Sequence, residues 1–184
     1  MKRLRFLTMI AVFTALFIGC EEPQDGTDTQ NGGGNSGTVV GGGGTEIDYT
    51  NFERLKTLEG HLSYVRSVAY SPDGTKIISG SLDGTIKIWD ANTGECLKTL
   101  EGHSSWVESV AYSPDGTKII SGSRDNTVKI WDANIGECLQ TLEGHSDFVN
   151  SVAYSPDGTK IISGSGDRTV KIWDANTGQC LKTL

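Results

Sequence analysis

The sequence predicts an all-β fold made of three complete four-stranded units, and three observations lead there. A unit of 42 residues recurs without a gap over 59–100, 101–142 and 143–184, and any two copies agree at 34 of the 42 positions. Each copy holds four short runs rich in β-forming residues, separated by turn signals containing Gly, Pro and Asp. In the third run, Ile86 and Ile88 alternate with Lys87 and Trp89, the period of a strand with two unlike faces.

Along the chain, residues 1–19 come first. Lys2, Arg3 and Arg5 precede an apolar run over 6–18 that is short for a bilayer span and has the flanks of a secretory signal. The stretch Leu16-Phe17-Ile18-Gly19-Cys20 resembles a bacterial lipobox, with Phe17 where leucine is commonest. That resemblance implies lipidation of Cys20, which becomes the new N-terminus, and an extracytoplasmic, lipid-anchored place in the bacterial cell envelope. Inner and outer membrane both stay open. An ordinary signal peptide or an uncleaved anchor, with an incidental cysteine, is the other reading. Removing the three positive charges of residues 1–19 takes the formal charge from −7 to −10.

Residues 20–51 are rich in Gly, Thr and acids, with Val39-Val40 the one apolar pair before Ile47. Such a segment buries too little to offset chain entropy, so it reads as a flexible tether. A Gly-rich coil of about 25 residues spans roughly 25–30 Å, enough to hold a small domain clear of lipid headgroups.

The repeat domain occupies 52–184. In the first copy, strands are expected over Val65–Tyr70, Lys76–Ser81, Thr85–Asp90 and Glu95–Leu100. Ser71-Pro72-Asp73-Gly74 has Pro and Gly at the second and fourth positions, as a type I turn prefers, and Asp83-Gly84 supplies the next tight turn. Residues 52–58 read as a leading copy of the fourth strand, since Leu55-Lys56-Thr57-Leu58 repeats Leu97-Lys98-Thr99-Leu100. With Gly60-His61 at the start of the copy and Trp89-Asp90 closing its third strand, the unit resembles the WD40 repeat, one blade of a β-propeller.

The resemblance implies a buried hydrogen-bond network in each blade: His61, Ser79, Asp83 and Trp89; His103, Ser121, Asp125 and Trp131; His145, Ser163, Asp167 and Trp173. The same residue types could suggest a hydrolytic triad. Three equivalent copies without an oxyanion hole fit a structural role better, because a buried indole N–H or imidazole must find partners. No catalytic residue, cofactor or metal site is expected. One carboxylate per Ser-Pro-Asp-Gly turn falls well short of the oxygens calcium requires. Cys96, Cys138 and Cys180 recur once per copy and read as half-buried free thiols. The acidic balance argues against nucleic acid, whose affinity comes from basic side chains.

Partner binding is sought where the copies differ. The main differences fall at Leu62, Tyr64, Arg66 and Leu82 in the first copy, and at Trp106, Glu108, Arg124 and Asn126 in the second. In the third they fall at Asp147, Phe148, Asn150 and Arg168. In WD40 propellers the matching loops converge on one end of the ring, and aromatics flanked by Arg and Glu have the composition of interface anchors. The expectation is a non-enzymatic scaffold binding a protein or peptide; drift at exposed positions after duplication would leave the same pattern. Propellers usually close with four to eight blades. A fragment of a longer propeller, a homo-oligomer in which two chains supply six blades, and an open, marginal arc are the alternatives, and a structural, self-assembling repeat protein is the other reading of function.

Overall fold

The Ser-Pro-Asp-Gly tetrapeptides set the register of the strands around them. In the computed structural model, which describes residues 55–184, Gly74 N–H donates to Ser71 O at 2.9 Å and Gly74 takes φ +72°. Asp73 Oδ1 accepts from the Ser71 hydroxyl at 2.6 Å and from Thr75 N–H at 3.0 Å. The Asp73 carboxyl is held down at about 2, chiefly by the Ser71 hydroxyl and then by the Thr75 donors. Its oxygens are therefore spent on locking the turn.

From these turns the chain builds three antiparallel meanders. They are β1 (Val65–Tyr70), β2 (Lys76–Ser81), β3 (Ile86–Asp90) and β4 (Cys96–Leu100); β5 (Val107–Tyr112), β6 (Lys118–Ser123), β7 (Val128–Asp132) and β8 (Cys138–Leu142); and β9 (Val149–Tyr154), β10 (Lys160–Ser165), β11 (Val170–Asp174) and β12 (Cys180–Thr183). Two expected strand starts move by one residue. Thr85 is held in the turn, where its N–H and hydroxyl both donate to Asp83 Oδ1, and Glu95 O closes the preceding loop by accepting from Asp90 N–H.

Each sheet is one blade, and the blades stack face to face near their first strands, β1 and β2 on β5, then β5 and β6 on β9. Two equivalent cores result. Ile78, Ile86, Ile88 and Leu100 of blade one meet Val107, Val110, Ile119, Trp131 and Ala133 of blade two. Ile120, Val128, Ile130 and Leu142 of blade two meet Val149, Val152, Ile161, Trp173 and Ala175 of blade three. Each such aliphatic side chain, fully buried, contributes about 1.5–3 kcal/mol. Glycine in the middle of each second strand permits the approach: a Cβ on Gly80 would lie 2.7 Å from Val107 Cγ1, and one on Gly122 would lie 2.8 Å from Val149 Cγ1.

The leading segment differs from expectation, since residues 55–58 form no strand. Among the described residues, no third strand of a preceding blade lies beside them. They nevertheless rest on blade one: Lys56 Nζ donates to Asn92 O at 2.8 Å and Thr93 O at 2.6 Å, while Lys56 and Leu58 pack over Gly94. Lys98 and Leu100 of β4 pack over Gly136 in the same manner, and Gln140 and Leu142 of β8 over Gly178. Residues 1–54, including Cys20, the signal, the tether and the start of the leader, lie outside the described residues.

Candidate functional site

Strand pairing places the network residues before any side chain interacts. Ser79 lies opposite Lys87 on β3, and Trp89 sits at a register shift opposite Cys96, which turns its indole inward. His61 Nδ1 then lies 2.8 Å from Asp83 Oδ2, His61 Nε2 lies 2.7 Å from Ser79 Oγ, and Trp89 Nε1 donates to Ser79 Oγ at 2.8 Å. In blade two the corresponding distances for His103, Asp125, Ser121 and Trp131 are 2.6, 2.7 and 2.8 Å. In blade three, those for His145, Asp167, Ser163 and Trp173 are 2.7, 2.7 and 2.8 Å.

With a neutral imidazole each proton has one consistent place. The ionised Asp accepts from Nδ1–H, so Nε2 accepts from the Ser hydroxyl, whose oxygen in turn accepts the indole N–H. Burial pushes the Asp83 carboxyl up, but donors from Thr85, the Leu62 N–H and His61 outweigh it and hold the group well below the ordinary carboxylate range. Asp125 and Asp167 follow the same balance, with burial opposed by His103 and Thr127, and by Thr169 and His145. Ser79, Ser121 and Ser163 are all buried and committed to two partners each. None presents a nucleophile. Sequence reasoning missed Thr85, Thr127 and Thr169, which clamp the carboxylates through N–H and hydroxyl alike; an Asp-x-Thr recurring in all three copies was the available signal.

The variable residues lie beside this network because the same loops carry both. In each blade the loop after the His is tied to the turn after the second strand: Leu82 N–H donates to Tyr64 O, Arg124 N–H to Trp106 O, and Gly166 N–H to Phe148 O, all at 2.9 Å. Across blades, Glu108 is the hub, accepting from Arg66 Nε at 3.0 Å and Arg124 Nε at 2.6 Å while its own side chain is only 6% exposed. The Arg124 guanidinium stands 4.1 Å over the Trp106 ring and 5.2 Å from that of Phe148, joining blades two and three. A cleft of about 280 Å³ opens between blades one and two, lined by Leu82, Asp83, Gly84 and the His103–Trp106 loop. Leu62 and Tyr64 project into solvent, 93% and 79% exposed.

The remaining variable positions have more local roles. Asp147 Oδ1 accepts from Phe148 N–H at 2.8 Å, and Asn150 is exposed on β9. Asn126 and Arg168 both take φ +69°, where blade one has Gly84 at +82°. That turn demands a left-handed residue, so this variation answers to backbone strain as well as to any partner. Cys96, Cys138 and Cys180 are free, as expected, but exposed rather than half-buried, because the fourth strands lie at the sheet edges.

The chain matches the family model described as WD domain, G-beta repeat, over residues 52–90, 94–132 and 136–174. Each matched segment ends on a Trp-Asp pair and begins ahead of the Gly-His, so in the second and third segments the first strand, β4 or β8, belongs to the preceding sheet. The chain is 43% identical over 61 residues to Protein HIRA of Zea mays, covering 33% of this chain and 6% of that protein. It is 62% identical over 39 residues to Vegetative incompatibility protein HET-E-1 of Podospora anserina, covering 21% and 3%. To Small ribosomal subunit protein RACK1 of Medicago sativa it is 48% identical over 46 residues, covering 25% and 14%. The solved structure of U3-55K superposes with a TM-score of 0.68 at 32% identity, over 70% of this chain and 41% of that one. The chain thus spans a small part of the length of these curated relatives.

Proposed function

The chain belongs to the WD40 repeat family, whose members typically mediate protein–protein contacts and scaffolding, and on that premise we propose that it is a non-enzymatic, membrane-anchored scaffold. Its partner is a protein or peptide held at the loop end of the blades. One observation carries this reading: six of the ten positions at which the copies differ gather around the loop after the His and the turn after the second strand, tied pairwise through backbone bonds around the Glu108–Arg124–Trp106 cluster and its cleft. An aromatic with a guanidinium stacked on it, beside exposed Leu62 and Tyr64, has the chemistry of an interface anchor.

Anchoring rests on residues 1–20, through the lipobox-like end at Cys20, with the tether carrying the blades away from an extracytoplasmic membrane surface. Two experiments test the reading. Trp106→Ala combined with Arg124→Ala should lose a protein partner captured by the unsubstituted chain while still melting cooperatively; an unchanged capture profile overturns the binding face. Cys20→Ser should abolish incorporation of labelled fatty acid, and retained label overturns the anchor.

A further inference from the structure

Glycine keeps the cleft between blades one and two open. A Cβ on Gly84 would lie 3.4 Å from Ser105 O and 3.5 Å from His103 O, so a side chain there would grow across those carbonyls. The turn itself does not require glycine. Its equivalents are Asn126 in blade two and Arg168 in blade three, both at φ +69° against +82° for Gly84. Two positions earlier, blade one has Leu82 where blade two has Arg124 and blade three Gly166. Only blade one combines glycine in the turn with a large apolar residue beside it.

The groups around the cleft are of two kinds. The Asp83 carboxylate and the His103 and Ser105 carbonyls are acceptors, with the Ser104 and Ser105 side chains beside them. Burial pushes the Asp83 carboxyl up, but its donors from Thr85 and the Leu62 N–H keep it ionised. Ser105 O takes the Ser123 hydroxyl at 3.3 Å and has a second lone pair to offer. Leu82 and Trp106 add apolar surface. No lysine or arginine lines the cleft: Arg124 is held by Glu108 at 2.6 Å and stacks on Trp106. The His103 ring is committed to Asp125 and Ser121.

A complementary group carries several N–H donors and a positive charge at its tip, with an apolar stem behind them. Lysine and arginine side chains have that construction. A carboxylate would set acceptors against acceptors. The formal charge of −7 on the chain acts in the same direction, attracting basic segments and repelling acidic ones.

We propose that the cleft receives one lysine or arginine side chain from a basic peptide segment of the partner, an assignment that rests on the loop-end binding face put forward above. The methylene stem packs on Leu82 and Trp106, and the charged head donates to His103 O and Ser105 O beside the Asp83 carboxylate.

A random-peptide phage library selected on the immobilised full chain tests this, followed by fluorescence polarisation of the enriched peptides. Those peptides should share a lysine or arginine whose replacement by methionine weakens binding about 10-fold or more. Gly84→Asn and Leu82→Arg each place in blade one the residue that blade two carries in the same turn. Both should weaken the same peptides to a similar degree while the protein still melts cooperatively. Binding should also weaken as salt rises. Acidic or uncharged anchors in the enriched peptides overturn the proposal, as does unchanged or tighter binding to Gly84→Asn or Leu82→Arg. If such peptides are still lost when Trp106→Ala is combined with Arg124→Ala, the binding face stands and the cleft assignment alone falls. Peptides indifferent to that double variant, or no enrichment at all, overturn face and cleft together.

Discussion

Ser121 shows how much one hydroxyl settles. Its oxygen accepts the Trp131 indole N–H and its proton goes to His103 Nε2, both deep in blade two. Ser121→Ala leaves two buried groups without partners, at about 1–3 kcal/mol each, so a loss of about 2–6 kcal/mol is expected from urea unfolding of the full chain. Gly122 and Gly164 make a paired comparison of one residue type at equivalent positions. Gly122→Ala drives a Cβ into Val149 and should cost about 1–3 kcal/mol, whereas Gly164→Ala should change monomer stability by less than about 0.5 kcal/mol. Arg168 holds a left-handed φ that glycine adopts freely, so Arg168→Gly should raise stability by about 0.5–1 kcal/mol in the same measurement. The network residues were legible in the sequence because the same four residue types recur with the same spacing in every copy. The strain at Asn126 and Arg168 was not, because a variable position looks the same whether a turn or a partner constrains it.

At the scale of the blade, the His–Asp pair joins the loop before the first strand to the turn between the second and third. The carboxylates of Asp83, Asp125 and Asp167 are held below the value of an unfolded Asp, near 3.9. Protons then bind the unfolded chain more readily than the folded one, so the stabilisation is complete above about pH 4 and is lost progressively as pH falls below it. Thermal melts across that range should show Tm falling with acid, and Asp125→Asn should reduce the slope. Strand positions followed from Ser-Pro-Asp-Gly and the Ile-x-Ile alternation to within one residue, since both are local signals. The leader did not. Its Leu-Lys-Thr-Leu matches a true strand residue for residue, and it stays out of a sheet because a strand exists only beside another strand.

Across the whole stack, stability is a sum of blades and joints, as in other repeat proteins. Among the described residues, blade two alone packs against a blade on each face, so its β6 amides around Ile119 and Ile120 should exchange with deuterium more slowly than their counterparts in blades one and three. Which side chains build the joints, an Ile face against a Val face, needed the packing. The similarity of the copies also bears on how the chain finds its fold. Because the Ile face of any blade fits the Val face of any other, blade one can dock on blade three with blade two looped out. Closing over that longer span costs only about 0.6 kcal/mol more per doubling of length. What favours the correct neighbour is what differs: Arg66 finds Glu108 only on blade two, and Arg124 finds Phe148 only on blade three. A chain with the three repeat positions of these four residues made identical in all copies should refold with a larger slow-phase amplitude, as misordered stacks come apart before joining again in sequence.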